Sequence, residues 1–234
     1  MAPTRRPEFI AHRGAKREHR ENTLPAFLTA VERGAEGIEL DVHATADGVV
    51  VVHHDPQLCP QMSDPAYAGR ALASMRAAEL REVPFVDGTV VPTLAEVLAA
   101  VPNHVVIYVE VKAPRIEAAV TAVLAPHASR VAVHGFDHRI PKAIVAGLPG
   151  VPSGILQASY LIDPVAALRA AGARDLWQHW ELIDPPLVEQ VHTAGGRVIA
   201  WTANDSEAIR ALARWGVDGL CSDDLRVVHD ALGG

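Results

Sequence analysis

Aromatic residues are scarce in this 234-residue chain, at 5%, although hydrophobic residues make up 49% of it. The core is therefore expected to be aliphatic, built mainly from Ala, Val, Leu and Ile. Cysteine is rarer still. Cys59 and Cys221 make no disulfide framework and no metal or redox motif, so two free thiols in a reducing, cytoplasmic setting are expected. No long apolar run follows Met1-Ala2-Pro3-Thr4-Arg5-Arg6-Pro7 or occurs elsewhere, which argues against a signal peptide and a membrane anchor. Basic runs interleaved with aromatics are missing and the net charge is −7, so nucleic acid is not an expected partner. Acidity does not exclude an anionic substrate, because one bound cation reverses the local field. Nothing in the composition speaks to oligomeric state.

What the chain has instead is rhythm. Short apolar runs lie at Phe9-Ala11, Gly37-Asp41, Val105-Glu110, Val131-Val133, Gly154-Gln157, Asp175-Gln178, Val198-Trp201 and Gly219-Cys221. Amphipathic stretches follow most of them: 24–32, 94–100, 115–124, 139–146, 164–170, 185–194, 206–215 and 225–231. Thr23, Asp163 and Asp205 stand where helices should begin, and Gly34, Gly147, Gly172, Gly195 and Gly216 where they should end. Repeated strand–helix units predict a parallel sheet, and eight of them in this length predict a closed (β/α)8 barrel, an α/β fold in one domain over 1–234. An open doubly wound sheet is the alternative, weakened by the lack of any Gly-x-Gly-x-x-Gly or Walker loop. One segment, about 42–92, breaks the rhythm. Asp47-Gly48 reads as a hairpin turn before Val49-Val52, followed by an irregular stretch with a helical piece near Ser74-Leu80. A long loop after the second strand belongs over the catalytic face of a barrel.

Two acids stand two residues apart in the second strand, Glu39 and Asp41, and so share one face. Two carboxylates on one face repel unless a cation or a proton lies between them. Glu110 and Lys112 repeat the pattern at the end of the next run. Three acids without a Cys or a helical His pair suit Mg²⁺ or Ca²⁺ better than Zn²⁺; the competing reading is an ion-pair network with Arg13 and Lys112. His12-Arg13-Gly14 follows the first strand at the expected barrel mouth, where Arg13 could fork onto a phosphate. His53-His54-Asp55-Pro56 follows the valine run, and one of its histidines should face the site while the other faces away. A phosphoryl-transfer site needs these parts: a cation and a basic side chain to neutralise charge, and two proton carriers, because an alkoxide leaves poorly without an acid.

The ordered series of motifs resembles the glycerophosphodiester phosphodiesterase family. It comprises Ile10-Ala11-His12-Arg13-Gly14, Glu21-Asn22-Thr23-Leu24-Pro25, Gly37-Ile38-Glu39-Leu40-Asp41-Val42, Asp47-Gly48 through His53-His54-Asp55, Pro92-Thr93-Leu94, Glu110-Val111-Lys112, Trp201-Thr202-Ala203-Asn204 and Gly216-Val217-Asp218-Gly219. The resemblance spans nearly the whole chain and implies metal-dependent hydrolysis of a small-molecule glycerophosphodiester on a (β/α)8 barrel. By position it implies His12 and His54 as the catalytic histidines and Glu39, Asp41 and Glu110 as ligands of Mg²⁺ or Ca²⁺. It places Arg13 and Lys112 near the substrate phosphate, and Trp201 lines the pocket by the same motif match. His54 is preferred to His53 because it directly precedes the motif Asp.

The sequence departs from the pattern at Arg20, where Pro is usual, at His134-Gly135-Phe136-Asp137, where Ser usually precedes Phe-Asp, and at the aromatic run Trp177-Gln178-His179-Trp180. These leave the substrate's head group open. Two rival readings are a lysophospholipase D, which needs an apolar groove that 58–86 does not advertise, and a non-catalytic phosphate-binding barrel, which should have lost a histidine or a ligand. Asp223 and Asp224 read first as caps of a final helix, and Glu21, Asn22 and Thr23 as support for the His12 loop.

Overall fold

Short strands rich in Val and Ile bury both faces only when side chains fill one side and helices cover the other. The computed structural model, which describes residues 6–233, has that arrangement. Met1–Arg5, on which part of the leader-segment expectation rests, lie outside the described residues. The strands are β1 (Glu8–His12), β2 (Gly37–Ala44), β3 (Val50–Val52), β4 (Val106–Val111), β5 (Val131–Gly135), β6 (Ser153–Gln157), β7 (Asp175–His179), β8 (Arg197–Trp201) and β9 (Gly219–Ser222). All but β3 run parallel, in the order β1-β9-β8-β7-β6-β5-β4-β2, and β1 pairs with β2 to close an eight-stranded (β/α)8 barrel. Helices α1 (Leu24–Glu32), α2 (Ala77–Arg81), α3 (Leu94–Ala100), α4 (Glu117–Leu124), α5 (Arg139–Gly147), α6 (Pro164–Ala171), α7 (Pro185–Thr193), α8 (Ser206–Trp215) and α9 (Leu225–Leu232) complete the order. Among the described residues no helix is long and apolar enough to cross a membrane.

β2 continues beyond Asp41 because β3 folds back on it antiparallel, pairing Val42 with Val52 and Ala44 with Val50. The intervening turn uses Gly48 at φ +79°. After β3 the insertion packs its own small core of Leu58, Met62, Leu72, Met75, Leu80 and Phe85. Its helical part is a 3₁₀ turn (Leu72–Ser74) followed by α2, close to the expected span. α4 starts two residues later than the sequence pattern suggests, after Arg115 at φ +68°.

The aliphatic expectation holds between barrel and helices, where Val, Leu, Ile and Ala make up nearly all of the packing. It does not hold inside the barrel. There the scarce aromatics are concentrated: Tyr108 and Trp177 lie edge to face at 5.2 Å, among Ile10, Leu156, Ile199 and Cys221. Glycines on the neighbouring strands make room for them. A Cβ on Gly37 would stand 2.8 Å from the Tyr108 ring, and one on Gly154 2.8 Å from Trp177. At the N-terminal end Glu8 accepts from both Tyr108 Oη and Arg197 Nη2, each at 2.7 Å, which closes the barrel floor. The upper end is left to the charged residues.

Candidate active site

Parallel register places the inward residues of neighbouring strands side by side. His12 pairs in register with Glu39, and Asp41, Glu110 and His134 form a row across β2, β4 and β5. Glu39, Asp41 and Glu110 are all buried, and among the described residues two permanently cationic side chains reach this carboxylate cluster. Arg13 Nε lies 3.1 Å from Asp41 Oδ2, and Lys112 Nζ lies 2.9 Å from Glu110 Oε1 and 3.5 Å from Asp41 Oδ1. Asn22 adds a donated hydrogen bond to Asp41 Oδ2 at 2.9 Å.

The three acids differ sharply in consequence. Burial would raise Asp41, but Arg13, Lys112 and Asn22 outweigh it and hold its carboxyl below the usual range. Glu39 has no such partner, and burial, then repulsion from Asp41 and Glu110, push it well above. Glu110 is raised to about 7, by burial first and by Asp41 second, against the pull of Lys112. Glu39 Oε2 and Asp41 Oδ1 are buried without a hydrogen-bond partner. An ion-pair network accounts for two of the three charges and leaves Glu39 uncompensated.

His134 was not among the residues expected here. Its Nε2 is 3.8 Å from Glu39 Oε1, and Glu39, Glu110 and His134 each bring a possible ligand atom within 4.8 Å of the others. The ring lies flat on Trp177 at 4.1 Å and 3°, and burial drives its pKa down to about 3, so it is a neutral imidazole. Trp177 is thus a packing residue rather than a pocket wall, and Trp180 likewise packs on the outer core.

Both expected catalytic histidines hold a carboxylate on Nδ1. His12 Nδ1 is 2.6 Å from Asp223 Oδ1, and His54 Nδ1 is 2.8 Å from Asp55 Oδ1. Despite its burial, Asp223 is pulled below the usual range by His12 and Lys16, so it only accepts. The proton of neutral His12 therefore sits on Nδ1, and Nε2 carries the free lone pair, 3.9 Å from Glu39 Oε2. Burial, above all, keeps His12 below its ordinary pKa. Asp223 is itself fixed by Lys16 Nζ at 2.9 Å and by Asn204, which donates to its Oδ2 and accepts from its backbone N–H, each at 2.9 Å. Its neighbour Asp224 is the cap, accepting from Arg226 N at 3.0 Å. His53 stacks on Phe85 and binds the Asp55 carbonyl, whereas His54 is a third exposed. Both line a cavity of about 190 Å³ with Arg20, Glu21, Asn22 and Cys59.

The His12 loop is held by its own backbone. Arg13 and Asn22 have φ +59° and +58°, and Asn22 N donates to Arg13 O at 3.0 Å. Thr23 stands at the α1 N-cap, but its hydroxyl donates to Arg20 O rather than capping. Gly14, at φ +83°, lies against α1, where a Cβ would be 2.7 Å from the Ala26 carbonyl carbon. Gly14→Ala is expected to cost about 3 kcal/mol from left-handed strain and overpacking, read as a shifted urea midpoint. Trp201, at the end of β8, is half-buried, with its Nε1 lacking a partner.

The sequence profile of the glycerophosphoryl diester phosphodiesterase family matches residues 12–227. The chain belongs to this family. A glycerophosphodiester phosphodiesterase of Caldanaerobacter subterraneus subsp. tengcongensis is 30% identical over 92% of this chain and 93% of its own length. The crystal structure of glycerophosphodiester phosphodiesterase from Thermotoga maritima is 27% identical with a TM-score of 0.80, covering 98% of this chain and 99% of that one. An Oleispira antarctica phosphodiesterase solved with the product sn-glycerol-3-phosphate has a TM-score of 0.86 at 22% identity, covering 98% of both chains, a likeness of fold. In this phosphodiesterase barrel, His12, Arg13 and Lys112 come together with the buried Glu39, Asp41 and Glu110 in one cluster. His54 stands on the adjoining cleft, and Trp201 across the mouth on β8.

Proposed function

We propose that this chain hydrolyses glycerophosphodiesters to a glycerol phosphate and an alcohol, with a divalent cation and two histidines. Family membership supports the reaction class. The observation that carries the metal is the charge deficit: three buried carboxylates, two cationic side chains and two unpartnered carboxylate oxygens. Glu39 and Glu110 would hold the ion with His134 beside them, and Asp41, in register with Glu110, would complete the carboxylate set. When bound, the ion supplies Lewis-acid stabilisation of the phosphoryl oxygens. Oxygen donors favour Mg²⁺ or Ca²⁺, whereas a set joined by His134 favours Mn²⁺, so a panel of the three separates the two ligand sets.

The protein's own groups divide the rest. Arg13 and Lys112 orient the phosphate and balance its charge. His12, neutral and with Nε2 free, takes the proton of the attacking water. His54, at the more open cleft, gives a proton to the departing alkoxide. A neighbouring substrate hydroxyl in place of water would yield a cyclic phosphate, which ³¹P NMR of the products distinguishes from an acyclic one. The test is release of glycerol phosphate from glycerophosphocholine and related soluble diesters by metal-loaded protein. Folded protein that turns over none of them defeats the reading, and faster turnover of lysolipids would place it with lysophospholipase D.

The carboxylate shifts give this reading a pH signature. Protons and cation compete for Glu39 and Glu110. Cation affinity is therefore expected to rise with pH through about 7, where Glu110 loses its proton. Calorimetric titrations at several pH values check it; affinity independent of pH below 7 would refute the assignment of Glu110.

A further inference from the structure

His54 and Asp55 stand on irregular chain between β3 and the core of the insertion, with side chains 33% and 62% exposed, so burial does not hold them. Among the described residues neither makes a backbone–backbone hydrogen bond. Both carbonyls are taken instead by histidine rings. His43 Nε2 lies 3.0 Å from His54 O, and His53 Nδ1 lies 2.8 Å from Asp55 O. His43 stands on β2 two residues past Asp41 and shares its face. It is buried, and His53 is nearly so, with its ring stacked on Phe85 at 6.4 Å and 9°. The reaction above uses neither ring.

We propose that His43 and His53 are positioning residues that clamp the proton donor His54, an inference that rests on the diester-hydrolysis reading. A carbonyl oxygen only accepts, so His43 carries its proton on Nε2 and His53 on Nδ1. The two donated bonds fix the planes of the two peptides that follow His54. Asp55 lies between those peptides, and its carboxylate accepts from His54 Nδ1 at 2.8 Å. The clamp therefore reaches the His54 ring through Asp55 and leaves Nε2 for the leaving group. A buried histidine needs some acceptor, so either bond alone would be ordinary packing. What distinguishes the pair is convergence: one ring from β2 and one from the end of β3 close on consecutive carbonyls. Proton transfer tolerates little displacement, since a misplacement of roughly 1 Å costs on the order of 10²-fold.

The test compares two diesters of glycerol phosphate in metal-loaded protein. Choline leaves as an alkoxide that needs a proton, whereas p-nitrophenolate leaves without one. His43→Leu and His53→Leu should each lower kcat for glycerophosphocholine about ten- to a hundred-fold with KM unchanged, and kcat for the p-nitrophenyl diester less than about three-fold. A Gln side chain carries its N–H at the reach of imidazole Nε2, and Asn at that of Nδ1. His43→Gln and His53→Asn should therefore restore most of the choline rate. Because the two esters are compared within one protein, folding losses cancel. Equal losses on both esters, no loss on either, or losses that His43→Gln and His53→Asn leave in place overturn the proposal. If the wild type hydrolyses neither ester, or His54→Ala loses both alike, the parent reading fails separately. The ring tautomers then decide the clamp. Long-range ¹H–¹⁵N spectra of the wild type that show Nε2–H on His43 and Nδ1–H on His53 support it, and either ring in the other tautomer overturns it.

Discussion

Glu39→Gln is expected to abolish calorimetric cation binding and to lower kcat by about a thousand-fold or more, while raising the melting temperature in chelator. The first two effects follow from losing the ligand oxygen that no protein group satisfies. The third follows from the sign of its shift. The folded-state pKa of Glu39 lies well above the ordinary value, through burial and then through Asp41 and Glu110. A raised carboxyl stabilises the fold only when protonated, and that stabilisation is lost as pH rises from the unfolded toward the folded value. At neutral pH without metal, its charge burdens the fold, and the amide removes the burden. Asp41→Asn should match Glu39→Gln in activity but not in stability. Asp41 is held low by Arg13, Lys112 and Asn22, so losing its charge takes one partner from each of two half-buried cations, which keep Glu21 and Glu110, at a cost of about 1.5–3 kcal/mol. Urea unfolding in chelator, with both variants beside wild type, checks the opposite signs. Equal destabilisation of the two would show that Glu39 has a partner this account lacks.

Asp223→Asn is expected to cost about 10²–10⁴-fold in kcat with cation binding intact, approaching the loss in His12→Ala. The Asn amide can donate to His12 Nδ1, which moves the imidazole proton to Nε2 and blocks it as a base. A pH profile separates this positioning role from general damage. Burial lowers the His12 pKa, and the bond to Asp223 raises it part of the way back. Removing the carboxylate should therefore move the acid limb of kcat/KM to lower pH. An unmoved limb, or near-wild-type activity in Asp223→Asn beside a loss in Asp223→Ala, would leave Asp223 as a loop anchor only.

The contrast between these two residues shows what the sequence could carry. Glu39 was legible because strand alternation puts it on one face with Asp41, and two like charges on one face demand an explanation. The strand–helix rhythm was legible for a related reason: strands buried on both faces read as continuous aliphatic runs, as in Val105–Val109. Asp223 was hidden because Asp223-Asp224 precedes a helix, where either residue serves as a cap; only the closure of β9 on β1 brings Asp223 to His12. His134 was hidden in the same way, since its place in the carboxylate row depends on the register of β5 against β4. The aromatic run was ambiguous because alternation sends Trp177 into the barrel beneath His134 and His179 to the mouth, a distinction that depends on where β7 ends. Local pattern identified the residues that belong to a motif. Partners supplied by distant strands needed the closed barrel.

The most direct measurement strips the protein of metal and titrates a divalent cation back, following heat and glycerophosphodiester hydrolysis in the same samples. Binding at one ion per chain, with turnover absent at the start and rising in proportion to occupancy, is the predicted result. Full hydrolysis in excess chelator, or a bound ion that leaves turnover unchanged, would contradict it.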